Sequence, residues 1–67
     1  MLLYINSMPK QVRALETIPG LLSSLEIHQS KGIALAVNDE IIVKEKWNSF
    51  EFKENDKITI IKASQGG

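Results

Sequence analysis

The stretch Thr17-Ile18-Pro19-Gly20-Leu21-Leu22-Ser23-Ser24-Leu25 decides the fold. Ile18, Leu21, Leu22 and Leu25 fall at i, i+3, i+4 and i+7, which draws one apolar stripe down a helix. Thr17 is a residue type that caps helix N-termini, and Pro19 falls in the first turn, where a missing N–H leaves no carbonyl unpaired. The spacing predicts a helix of about two to three turns that frays into Ile27-His28-Gln29. On both sides of this stretch the apolar period is two, the period of strands.

Upstream, Leu3 and Ile5 alternate with Leu2 and Tyr4, and the run ends in the turn-forming segment Asn6-Ser7-Met8-Pro9-Lys10. Gln11-Val12-Arg13-Ala14 reads as the returning strand, with Val12 and Ala14 on one face. Downstream, Gln29-Ser30-Lys31-Gly32 is a loop. Ile33, Leu35 and Val37 then alternate with Ala34 and Ala36; with both faces apolar or small, this strand is expected to be central in the sheet. Asn38-Asp39-Glu40 reads as a tight connection, Ile41-Ile42-Val43 as a short strand, and Lys44-Glu45-Lys46-Trp47 as a single helical turn or a capping loop. Phe50 and Phe52 alternate around Glu51, and Glu54-Asn55-Asp56 turns the chain. Lys57 to Lys62 is the last strand, Ile58 and Ile60 facing inward and Thr59 and Ile61 outward. The order ββαβββ implies an α+β domain, a mixed sheet with one main helix across one face, which buries the Ile18 to Leu25 stripe.

At 67 residues the chain has room for one core. The expected division is a folded domain over 1–62 and a mobile tail over 63–67, since Ala63-Ser64-Gln65-Gly66-Gly67 holds no proline or aromatic residue with which to pack back. Eight basic residues balance eight acidic ones, and the lysines are scattered, which argues against nucleic acid as a partner. With no cysteine there is no disulfide, thiolate nucleophile or cysteine-held metal. The apolar start Met1-Leu2-Leu3-Tyr4-Ile5 is too short for a membrane span or a signal-peptide core, so no membrane association is expected and a cytoplasmic protein is the simplest expectation.

The side chains present no catalytic constellation. His28 is the single histidine, with no second ligand at a metal-binding spacing, and reads as a surface-loop residue. Gly20 and Gly32 are too isolated to cradle a phosphate. Asp39, Glu40, Glu54 and Asp56 fall at turns, where carboxylates serve turn hydrogen bonds. Trp47 reads as a core residue. What remains is the end of the chain. Glycine has no Cβ, so Gly66-Gly67 can thread a channel closed to any other residue and present its carbonyl to attack. A frayed end would look the same.

The opening Leu3-Tyr4-Ile5-Asn6, the helix residues, Ala34-Leu35-Ala36-Val37-Asn38, Ile42-Val43 followed by Trp47, the turn before Asp56 and Gly66-Gly67 together resemble the ubiquitin-like β-grasp fold, and most closely the thiamine-biosynthesis sulfur carrier family. The resemblance spans nearly the whole chain. It departs from the family pattern at Lys44, where proline and arginine are common nearby; at Asn55, where glycine is usual; and at the polar Ser64-Gln65.

The resemblance implies a carrier, not an enzyme. A ubiquitin-activating-type adenylyltransferase, using ATP and magnesium, would adenylate Gly67; sulfide from a persulfide donor would displace AMP and leave a thiocarboxylate; thiazole synthase would take the sulfur for the thiazole ring of thiamine. Gly67 is then the modified residue, and Gly66, Gln65 and Ser64 the extended stem with Ala63. Ordering five tail residues in a partner's channel costs roughly 5–10 kcal/mol, which a docking surface must offset. The expected surface is the outward face of the sheet, at Ile61, Tyr4 and Ile42 beside Lys62. Two alternatives stay open: the small subunit of molybdopterin synthase, which uses the same thiocarboxylate, and a ubiquitin-like modifier or interaction module.

Overall fold

Both hairpin turns of this chain are set by residues that adopt a left-handed backbone. The computed structural model describes residues 1–63. In it β1 (Leu2–Ile5) and β2 (Met8–Gln11) are antiparallel, joined by Asn6 and Ser7 at φ 50° and 72°. Two successive positive φ values make a tight hairpin whose twist matches that of the strands. Then follow α1 (Ile18–Ser24), β3 (Ile33–Val37), β4 (Glu40–Ile41), a 3₁₀ turn over Lys44–Lys46 and β5 (Lys57–Lys62). Among the described residues the sheet order is β2-β1-β5-β3-β4; β1 and β5 are parallel and the other neighbours antiparallel. This is the expected ββαβββ β-grasp arrangement, with the helix on one face.

Leu3, Ile5, Ile33, Leu35, Val37 and Ile58 point to the helix side and meet Ile18, Leu21 and Leu22 in one core, closed by Trp47 and Phe52. Burial of each large aliphatic side chain contributes about 1.5–3 kcal/mol. Trp47 is a core residue, as expected, and its indole Nε1–H donates to Ile42 O at 2.8 Å. Phe50 packs edge-on against Phe52, with ring centroids 5.5 Å apart, in a loop and not in a strand. Thr17 caps α1: it is extended, and its Oγ1 accepts from Gly20 N–H at 3.0 Å.

Four local expectations are corrected. The returning strand is Met8–Gln11, not Gln11 to Ala14. Pro9 sits inside it because it faces Tyr4 on the outermost strand, at a register position between the bonded pairs, where a missing N–H takes nothing from the ladder. The middle strand is β5, with β3 between it and the short edge strand β4. That edge strand is Glu40–Ile41 and not Ile41 to Val43, because Asn38 and Asp39 alone, at φ 51° and 72°, make the connection. Finally, α1 does not fray. Glu26 is left-handed at φ 63°, its N–H donates to Ser23 O, and Ile27 N–H donates to Leu22 O, a Schellman closure that stops the helix at once.

Candidate functional site

Of the four turn carboxylates, Asp56 makes the turn hydrogen bonds the sequence suggests and ties the start of β5 in place, while Asp39 and Glu40 are exposed and make no side-chain hydrogen bond among the described residues. Asp56, buried, accepts from Lys53 N–H at 2.7 Å and from Asn38 Nδ2 at 3.0 Å; Asn38 Oδ1 in turn accepts from Lys57 N–H at 3.1 Å. Glu54 Oε2 accepts from Leu2 N–H at 2.9 Å. Asn55 is left-handed at φ 70°, which asparagine tolerates. His28 is exposed, as expected, and among the described residues no group of three or more His, Cys, Asp or Glu could hold a metal ion.

On the face away from α1, β5 presents Thr59 and Ile61, paired with Ala36 and Ala34 of β3. Beyond β3, Ile41 stands opposite Ala36 on the same face. Ile61 and Ile41 are 52% and 59% exposed, which marks this face as an apolar surface with no covering layer among the described residues. Tyr4, paired with Lys57, extends the face toward β1 and is half-buried. Lys62 is exposed at the end of β5. Ile42 does not belong here: it packs against the core, and its place is taken by Ile41. The connection of two residues shifts the alternation by one position, which turns every following side chain to the other face.

β5 is paired along β3 up to Ile33 and Lys62, and Ala63 N–H still donates to Gly32 O at 2.6 Å, so the sheet holds the chain one residue beyond the expected boundary at 62. A groove beside this point is lined by Ile27, His28, Lys31 and Gly32. Ser64, Gln65, Gly66 and Gly67 lie outside the described residues. The fold thus brings Ile61 and Tyr4 to one face; Lys62, expected beside them, stands opposite the buried Ile33 and lines the groove on the helix side, because the alternation of β5 turns it away from Ile61. Residues 4–67 match the ThiS family.

The chain belongs to the ThiS family. The sulfur carrier protein ThiS of Escherichia coli (strain K12) is 31% identical to it over 67 residues, with the whole of both chains covered. The crystal structure of a thiamine biosynthesis protein, ThiS, from Geobacter metallireducens superposes with a TM-score of 0.83 at 25% identity, again over the whole of both chains. A solution NMR structure of a thiamine biosynthesis protein from the same organism gives 0.77 at 26% identity, covering all of this chain and 88% of that one. The β-grasp fold is common to these ThiS-family structures. The exposed Ile41 is a surface residue that the alternation missed; counting Asn38-Asp39 as a two-residue primed turn would have placed it.

Proposed function

We propose that this chain is a sulfur carrier for thiamine biosynthesis, working in the cytoplasm, with the carboxylate of Gly67 as the loading point. The observation that carries this is the ThiS-family match, which runs through the final glycine pair and spans residues 4–67. A carboxylate resists nucleophiles because its carbonyl is electron-rich and oxide is a poor leaving group. Attack of the Gly67 carboxylate oxygen on the α-phosphorus of ATP, with magnesium on the phosphates and loss of pyrophosphate, makes an acyl-adenylate. That step is the work of a ubiquitin-activating-type adenylyltransferase. The terminal sulfur of a persulfide donor then attacks the carbonyl carbon and AMP leaves. Attack of a second thiol on the resulting S–S bond releases the thiocarboxylate and leaves a disulfide on the donor side. Thiazole synthase consumes the loaded carrier.

This chain supplies recognition and reach. The outer sheet face at Ile61, Ile41 and Tyr4 docks on the partners, and Ser64, Gln65 and Gly66 carry Gly67 into the channel.

Intact mass spectrometry tests the proposal. The purified chain is incubated with ATP, magnesium, a sulfur source and extract of its own cells, beside a chain lacking Gly67. The oxygen-for-sulfur increment, mapped to the last residue and absent from the shortened chain, is the expected result. Lysine-linked conjugates would point to a protein modifier, and delivery of the sulfur to a molybdopterin precursor in place of the thiazole would move the chain to the molybdopterin branch.

A further inference from the structure

The backbone pairing of β1 with β5 ends early. Tyr4 N–H donates to Asp56 O at 2.9 Å and Asn6 N–H to Ile58 O at 2.8 Å, after which β1 leaves in its tight turn. The next peptide groups of β5 on that flank belong to Ile60, and the side chain of Asn6 takes both of them. Ile60 N–H donates to Asn6 Oδ1 at 2.9 Å, and Asn6 Nδ2 donates to Ile60 O at 3.4 Å. A primary amide carries one acceptor and one donor set side by side, so it can stand in for the peptide group of a missing strand residue. Asparagine is suited to the position twice over, because its backbone here is left-handed at φ 50°.

We propose that Asn6 is a positioning residue for sulfur loading: by holding Ile60 where β1 no longer can, it fixes the outward aim of Ile61 and the line along which the chain leaves the sheet toward Gly67. This rests on the carrier function proposed above. Asn6 acts through β5 and contacts no reacting atom. Its partner residue Ile60 precedes Ile61, the centre of the docking face, and lies three positions before Ala63, the last described residue. On the opposite flank β3 holds the same segment through Leu35 and Ile60, Ala34 and Ile61, and Ile33 and Lys62. Without the Asn6 amide, β5 beyond Ile58 is fastened from one side only. A docked partner then meets the exit of the chain at a shifted angle, and small misplacements of a reacting group reduce turnover far more than they reduce docking.

The test compares Asn6→Gly, which keeps the left-handed turn and deletes the amide, with Asn6→Asp, which keeps the acceptor for Ile60 N–H and loses the donor. Thr17→Ala, which deletes the helix cap far from β5, serves as a control for lowered stability. Adenylation is read by ATP–pyrophosphate exchange with the adenylyltransferase purified from the same cells, and amide exchange at Ile60 is read by NMR on the chain alone. Asn6→Gly is expected to lower kcat about tenfold with KM within about twofold, and to speed exchange at Ile60. Asn6→Asp recovers part of both, and Thr17→Ala changes neither. A kcat for Asn6→Gly equal to that of Thr17→Ala, or unchanged exchange at Ile60, overturns the positioning role and leaves the carrier function standing. If the parent chain itself is not adenylated, the carrier function falls and the positioning role with it.

Discussion

Ile61 of β5 and Ala34 of β3 stand directly opposite each other on the sheet face away from α1. Across from Ile61 there is therefore only a methyl group, and half of its side-chain surface stays open. An aspartate at position 61 would lose little packing and would place a charge at the centre of the proposed docking face. Ile61→Asp is expected to leave the thermal midpoint within a few degrees of the parent and to raise KM for the chain in adenylation by about tenfold or more, the size of a typical anchor residue's contribution. ATP–pyrophosphate exchange at several chain concentrations reads this directly. An unchanged KM would remove Ile61 from the docking surface.

Ile41 and Ile42 exchange the roles that the alternation assigned to them. Ile41→Asp should behave like Ile61→Asp, with KM raised and stability kept, because Ile41 shares the outer face. Ile42→Asp should instead unfold a large part of the population, since Ile42 packs on the core and a carboxylate there has no hydrogen-bonding partner to replace water. Circular dichroism melts beside the adenylation assay separate the two. The opposite pattern would mean that β4 is paired in the other register in solution.

Elements whose signal is long and periodic are legible in the sequence. The stripe Ile18, Leu21, Leu22, the cap Thr17, the β5 alternation and the core role of Trp47 all depend on side-chain pattern, and pattern is what a sequence displays. The register of the two hairpins was not legible, for one physical reason. Asn6-Ser7 and Asn38-Asp39 are both two-residue primed turns without glycine, and without glycine the sequence does not mark where such a turn ends. Three extra residues in the first turn move β2 along the chain, and one extra residue in the second puts Ile42 outward in place of Ile41. The hold of Asn6 on Ile60 was invisible too, because it joins positions far apart in sequence through a side chain.

Asp56 binds the turn before β5 to the end of β3. Its carboxylate accepts from Lys53 N–H and Asn38 Nδ2, and removing it leaves both donors without their acceptor beside the buried core. Hydrogen bonds to a charged acceptor contribute about 1.5–3 kcal/mol each. Asp56→Ala is expected to cost roughly 2–4 kcal/mol in urea unfolding at neutral pH, with the m-value unchanged. A loss under about 0.5 kcal/mol would show that water replaces the carboxylate at no cost, and that Asn38 alone holds β5.

Glu26 accepts a backbone penalty with no hydrogen-bonding return from its side chain among the described residues. It occupies the left-handed position that ends α1, where glycine is the usual residue, and its carboxylate makes no hydrogen bond or ion pair among the described residues. The closure itself depends only on the backbone: Glu26 N–H to Ser23 O, Ile27 N–H to Leu22 O, and the apolar contact of Ile27 with the core that accompanies it. A left-handed conformation costs a non-glycine residue about 1 kcal/mol or more, while glycine in the unfolded chain loses more freedom on folding and returns part of that gain. Glu26→Gly is therefore expected to stabilise the domain by about 0.5–1 kcal/mol, which raises the midpoint of a domain of this size by roughly 2–8 °C. Differential scanning calorimetry decides the matter. A lowered midpoint would mean that Glu26 engages groups elsewhere in the chain and that the left-handed turn is held by its side chain.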